Sequence, residues 1–329
     1  MLTCRGFLHN VTGPQRPQIV IVGNGLEKCS GQPSWADFLD DISAPGCVEL
    51  TKEQKKELPF PLLYELLSTP FPAPAHITTQ DITDQEKRLS EALKKLKNRS
   101  NLLLDQLVEL GADHIFTTNY SYCIENAFWP RLDFLKPYAR STKRFNFSPM
   151  NKKGNQKQEG YYRMHSGYLA KVGEEEKRSI GIWHIHGECS APRGVILGAD
   201  RYGRNLEHII HTVSNWNFKD ITSEKNEKIF TAWPELFLFG DLYIIGLGYE
   251  TCDNDLWWLL RRKQREHYSD SHVYFYEFRD ENSVKQKLLQ AHGVIIPSIG
   301  KKKPENDEEY QEYYQLALDD IRKRIKSHT

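Results

Sequence analysis

The feature that most constrains the fold is a series of short, largely apolar runs, each separated from the next by residues of helical or irregular character. QIVIV at 18–22, DHIFT at 113–117, IGIWHI at 180–185, DLYII at 241–245, HVYFY at 272–276 and GVII at 293–296 are short and rich in β-branched or aromatic residues. Such runs read as strands buried on both faces, and strands alternating with helices build a parallel sheet covered above and below. The expected fold class is α/β: a Rossmann-like parallel sheet with helices on both faces, plus a helical insertion.

Helix signals fill the spaces. Ser34 stands as N-cap for 34–42, where Trp35, Phe38, Leu39 and Ile42 recur at helical spacing. A second pattern opens at Asp84 and runs through Leu96; a third, from Leu102 to Leu110, stops at Gly111, which accepts a left-handed backbone. Further helices are expected near 121–128, 204–218, 226–238, 254–266 and 282–291. Pro59, Pro61, Pro70, Pro72 and Pro74 mark a connector. One domain is expected over 1–329, with insertions at about 48–110 and 130–179, the second carrying a hairpin that turns at Ser166-Gly167. At 307–328 a helix places Tyr310, Tyr313, Tyr314, Ala317, Leu318, Ile321 and Ile325 on one broad side, to pack on the domain or on another subunit.

Charge and composition narrow the function. With 44 Lys+Arg against 44 Asp+Glu there is no cationic surplus to bind nucleic acid. The chain has no run of about 18 apolar residues and no apolar stretch near Met1 suited to secretion, so a cytoplasmic protein without a membrane partner is expected. Six scattered cysteines form no C-x-x-C pair, which suggests neither a zinc knuckle nor a disulfide framework.

In an open α/β sheet, ligands bind beyond the carboxyl ends of the strands. The residues there are Gly23-Asn24-Gly25, Thr118-Asn119-Tyr120, His186-Gly187 and Gly246-Leu247-Gly248. Glycine turns let backbone amides approach a phosphate, although Lys28 stands where a dinucleotide fingerprint has its third Gly, so a plain tight turn is the alternative. Asn119 offers a neutral amide for a ribose hydroxyl or a water, or else caps the next helix. His186 can take a proton near neutral pH, with Gly187 leaving room for a substrate, or it is a strand-end histidine bonded to backbone. His184 and His186 lack the further ligands of a tetrahedral metal set, and a packed, hydrogen-bonded role suits His184. Asp253 and Asp255 read as caps of the helix that follows, and Trp257 and Trp258 as core.

Taken in order, the motifs form a recognisable set. VGNGL at 22–26 and SGQPSW at 30–35 resemble the first motif of sirtuin-like domains, in the branch that lacks zinc. TTNY at 117–120 is similar to the Thr-Thr-Asn-Tyr-Asp of that branch, IHG at 185–187 to its catalytic His-Gly segment, GVILGADRY at 194–202 to the stretch after it, and LYIIGLGYETCDNDLWWLL at 242–260 to the late nucleotide loop. The resemblance implies an NAD⁺ hydrolase that releases nicotinamide and ADP-ribose and acts in bacterial antiphage defence. Asn119 and His186 would be catalytic, with His186 a general base acting directly or through a ribose hydroxyl. Gly23, Asn24, Gly25, Thr118, Ser121, Gly246 and Gly248 would hold the dinucleotide, and no metal is implied. Ser121 stands where the family has the Asp that contacts the nicotinamide carboxamide, with Glu125 one turn later as a substitute. A homo-oligomer and a separate regulatory protein are the expected partners. The alternatives are a protein deacylase and an NAD or ADP-ribose sensing module without turnover.

Overall fold

The computed structural model describes residues 16–29, 31–128, 143–146, 164–172, 178–214, 230, 232–300 and 302–328. Eight strands form one sheet: β1 (Gln18–Val22), β2 (His114–Thr117), β3 (Lys143–Asn146), β4 (Ser166–Val172), β5 (Arg178–His184), β6 (Asp241–Ile245), β7 (Val273–Tyr276) and β8 (Val294–Ile295). Their spatial order is β3-β4-β5-β2-β1-β6-β7-β8. From β5 to β8 every pairing is parallel, while β3, β4 and β5 pair antiparallel at one edge. This is the expected α/β architecture.

Because side chains alternate across a strand, each central strand feeds two cores. Ile19, Ile21, Phe116, Trp183, Leu242 and Ile244 pack against the helices Ala199–Ser214, Trp233–Phe239 and Asn254–Glu266. On the opposite face Val20, Val22, Ile115, Ile182, Tyr243 and Ile245 meet Leu104, Leu107, Ile124 and the last helix, Asp307–His328. A third cluster joins the helices Trp35–Ile42, Phe60–Ser68 and Thr79–Lys95 through Phe38, Leu39, Leu63, Leu67 and Leu93, and reaches Tyr120 beyond the end of β2. That contact sets this helical layer over the strand ends.

Several local expectations need correction. The helix expected from Asp84 begins at Thr79, capped by Thr78, whose side chain accepts from the Asp81 amide while Asp81 reaches back to the Thr78 amide. Phe60–Ser68 is helical despite its prolines, because Pro61 lies in the first turn, where a missing N–H costs no intrahelical bond. Ser166 and Gly167 do not turn: they open β4 and pair with Asn146 and Phe145. The helix expected at 204–218 starts earlier, at Ala199, and its expected end lies outside the described residues, as does the start of the one expected at 226–238. Ser34 does cap Trp35–Ile42, with a reciprocal bond from Asp37. No helix among the described residues is long and apolar enough to cross a membrane.

Candidate functional site

The order of the strands places β1 between β2 and β6, and the chain changes direction across the sheet between β1 and β6. Two glycine turns meet there. Gly23 follows β1 so closely under the β6 turn that a Cβ on it would stand 2.4 Å from the Gly246 carbonyl oxygen and from Leu247 Cα. Gly246 has a φ of 67°, the left-handed region. The Gly23 amide donates to Ile245 O (3.0 Å) and the Gly25 amide to Gly246 O (2.8 Å). Those two amides are thus engaged within the protein. What the glycines supply is a close-packed backbone saddle, flanked by the Leu247 side chain, with a large cavity on either side.

One cavity, of about 740 Å³, is lined by Thr118, Tyr120, His186, Tyr202, Leu247, Gly248, Tyr249 and Asp253, and extends to Trp35 and the segment Lys52–Phe60. The other, of about 460 Å³, is lined by Gly25, Gly246, Gly248, Glu277, Lys285 and tyrosines of the last helix. Leu247 and Gly248 border both. An elongated ligand crossing the saddle would occupy the two together.

Beside the larger cavity lies a small pocket of about 30 Å³, lined by Asn24, Glu27, Gln32, Trp35, Phe38, Asn119, Tyr120 and Ser121 among others. Asn119 is positioned by its backbone. Its amide donates to Thr117 Oγ1 (3.0 Å), and its carbonyl accepts from His184 Nδ1 (2.9 Å). The Asn119 side chain, 3% exposed, does not cap the helix Cys123–Phe128, and neither end of its amide has a hydrogen-bond partner among the described residues. Buried amides seldom stay unpaired, so this one is set up for a ligand or a water.

Glu27 is the residue that sequence reasoning missed. Its carboxyl accepts from Ser121 Oγ at 2.5 Å, its second oxygen has no partner, and it shares the small pocket with Asn119. Burial pushes it up to about 7, against the opposing influence of Ser121, the adjacent Asn119 amide and His184. The signal was an acid two residues beyond Gly25, in a segment otherwise set to be buried. Glu125, the expected substitute for the missing Asp, is taken by His184, whose Nε2 lies 2.8 Å from it. Burial opposes the charge on His184, but Glu125 outweighs it and carries the imidazole up to about 9. His184 is therefore the packed, hydrogen-bonded histidine expected of it.

His186 belongs to a different network. Its Nε2 is 2.9 Å from Asp255 Oδ2, which also accepts from Asn205 Nδ2 at 2.7 Å, while Asp255 Oδ1 accepts from the Leu256 amide at 2.9 Å. Burial works against the Asp255 charge, yet His186 and these donors hold its carboxyl below the usual range. Asp255 lies in the first turn of its helix rather than at the cap, where Asp253 stands without a side-chain capping bond, and it fixes the imidazole from 69 residues further along the chain. Asp253, 7% exposed, is pushed up to about 6 by burial and by Asp255, with His186 opposing. Gly187, at a φ of 98°, passes under Gly194, whose carbonyl oxygen would stand 2.6 Å from a Cβ there.

The site therefore gathers Asn119, Ser121 and Asn24 around the small pocket, Thr118 and His186 in the large cavity, and Gly25 and Gly246 in the second, with Gly248 on both large cavities. Gly23 packs beneath the saddle and lines none of the three. Among the described residues no group of three or more His, Cys, Asp or Glu could hold a metal ion. A doubly wound sheet with a divided cleft at its switch point defines a dinucleotide-binding α/β protein. The profile of the SIR2-like domain matches residues 113–297, more than half of the chain, and the protein belongs to that family. Family membership implies NAD binding and NAD-dependent chemistry. β1 and its glycine turn precede the matched segment. No curated protein matches the chain.

Proposed function

We propose that the protein is an NAD⁺ glycohydrolase, cleaving NAD⁺ to nicotinamide and ADP-ribose. The observation that carries this reading is the unpartnered Asn119 amide beside the Glu27 carboxyl, at the edge of the cavity that holds His186. A primary carboxamide has two N–H donors and one acceptor. Glu27 Oε1 and Asn119 Oδ1 can accept and Asn119 Nδ2 can donate, so the pair complements a carboxamide, and Glu27 supplies the acidic group that Ser121 lacks. Trp35, Phe38 and Tyr120 give the same pocket aromatic walls, suited to a flat cationic ring. The pocket must widen to admit that ring.

Nicotinamide leaves with the electron pair of its bond to the ribose, so no general acid is needed, and water completes the exchange. His186, fixed by Asp255, then serves as base through a ribose hydroxyl in the larger cavity. The diphosphate crosses the glycine saddle. The similarity of motifs to the zinc-free sirtuin-like branch supports an antiphage effector, kept inactive by self-assembly or a separate regulatory protein. One observation favours a second reading, a protein deacylase: the 740 Å³ cavity runs past His186 to Lys52–Phe60 and has room for a second reactant.

Purified protein incubated with NAD⁺, alone and with an acetyl-lysine peptide, and resolved by chromatography tests the proposal. Nicotinamide and ADP-ribose without peptide are expected. Turnover only with peptide, yielding an acylated ADP-ribose, would establish the deacylase instead. Binding without cleavage, in the presence of candidate partners as well, would leave a sensing module.

A further inference from the structure

The Asn119 side chain has no hydrogen-bond partner among the described residues, so the hold on this residue falls to its main chain. Two side chains supply it. The Asn119 amide donates to Thr117 Oγ1, and that hydroxyl donates in turn to Val22 O at 3.0 Å, which anchors one end of the residue on β1. The Asn119 carbonyl accepts from His184 Nδ1 at 2.9 Å. Thr117 and His184 face each other in the parallel register of β2 and β5, so the pairing of these strands delivers both anchors to the loop that follows β2.

The protons on His184 follow from its two partners. A carbonyl oxygen only accepts, so Nδ1 carries a hydrogen. On the other side Nε2 stands 2.8 Å from Glu125 Oε1, a contact that two facing lone pairs would not make, so a proton lies between them as well. The ring thus spans from an acid on the helix Cys123–Phe128 to the main chain of Asn119. Its plane is fixed by edge contacts with Tyr122 and Tyr168, at centroid distances of 5.5 and 6.1 Å. Glu125 is 1% exposed and His184 6%, so no bulk water competes for these bonds.

We propose that His184, braced by Glu125, is a positioning residue for NAD⁺ cleavage: its bond to the Asn119 carbonyl aims the Asn119 carboxamide into the small pocket. The inference rests on the NAD⁺ glycohydrolase reading above and adds a residue to its machinery. A turn of the main chain at 119 swings a carboxamide that has no bond of its own to restore it, and displacement by about 1 Å is enough to cost a reaction up to about 10²-fold. His186 is held separately, by Asp255. The two histidines of this segment therefore serve different catalytic groups, His186 by acting itself and His184 by holding Asn119.

Two amide replacements separate holding from packing. The asparagine amide nitrogen is bonded to Cγ, as Nδ1 is, so His184→Asn keeps a donor for Asn119 O and gives up Glu125. The glutamine nitrogen lies one atom further out, near Nε2, so His184→Gln keeps a donor for Glu125 and gives up Asn119. Both lose the ring and its charge, and chemical denaturation should show both destabilised. In the folded fraction His184→Gln should lower kcat for NAD⁺ by about 10–10²-fold with ADP-ribose affinity held, and His184→Asn should lower it clearly less. In an Asn119→Ala background His184→Gln should cost nothing further, because the bond acts through that side chain. Glu125→Gln, which weakens the brace and leaves the ring, covers the case in which the His184 variants fail to fold: it should lower kcat, and do so only where Asn119 is present. Equal kcat losses in the two His184 variants, or a loss undiminished in the Asn119→Ala background, would overturn the inference while leaving the NAD reading intact. Failure of folded wild type to cleave NAD⁺ would overturn both.

Discussion

At the scale of single residues, Asn119 and His186 are expected to share one reaction. His186→Ala should reduce NAD⁺ turnover by about 10²–10⁴-fold, the usual contribution of acid–base catalysis. Asn119→Ala should also depress it, and the double variant should be little worse than the poorer single one. Titration of ADP-ribose into the same variants should show binding largely kept. Asp255→Asn leaves the shape but removes the charge that fixes the His186 ring, so kcat should fall while ADP-ribose affinity holds. His184→Ala breaks a buried pair with Glu125 and should cost about 3–5 kcal/mol, read by chemical denaturation. Glu27 gives a pH signature. Its carboxyl titrates near 7 in the folded protein against 4.5 as its ordinary value, so the folded state favours the protonated form. Stability from this group is complete below pH 4.5 and is lost as pH rises through 7. Glu27→Gln, which can still accept from Ser121, should match wild type at pH 4 and exceed it at pH 8 by up to about 3 kcal/mol. An unchanged difference across that range would refute the assignment. Asn119 and His186 were legible in the sequence because each follows a strand end. The partnership of Asp255 with His186 was not, since 69 residues separate them.

Among the elements, the last helix joins stability to the lining of the 460 Å³ cavity. Tyr313, Tyr314, Ala317, Leu318, Ile321 and Ile325 are buried against the face of the sheet formed by Val20, Val22 and Tyr243. Tyr310 instead is 39% exposed and lines the 460 Å³ cavity, and Tyr314 places its hydroxyl where a Cβ on Gly25 would stand, 2.3 Å away. Ile321→Ala, at a position with no exposure, should destabilise the protein by about 2–5 kcal/mol. A fall of less than half a kcal/mol in the unfolding free energy would show that this face is not packed. The helical period of these residues announced a buried face but not what it covers, because a period fixes direction and not a neighbour. The same limit explains Ser166-Gly167, where a local turn signal yielded to pairing with β3.

For the whole molecule, NAD⁺ turnover should survive prolonged dialysis against a chelator; stoichiometric zinc whose removal unfolds the protein would contradict this. Much of the architecture was readable from the chain. Period and composition fixed the six strands that pair parallel, from 18–22 to 293–296, and alternation with helices required parallel pairing among them, because a crossover helix returns the chain to the same end of the sheet; the antiparallel edge strands β3 and β4 were not read. The glycines after β1 and β6 were equally visible. What only the tertiary structure decided is how distant side chains meet: Glu27 with Ser121, His186 with Asp255 and Asn205, Glu277 with Lys285 at Gly248. Strand order brings these groups together, and order depends on crossovers that a linear pattern does not encode. Burial then sets their charge, as it does for Glu27, by removing water that no sequence position alone can be seen to lose.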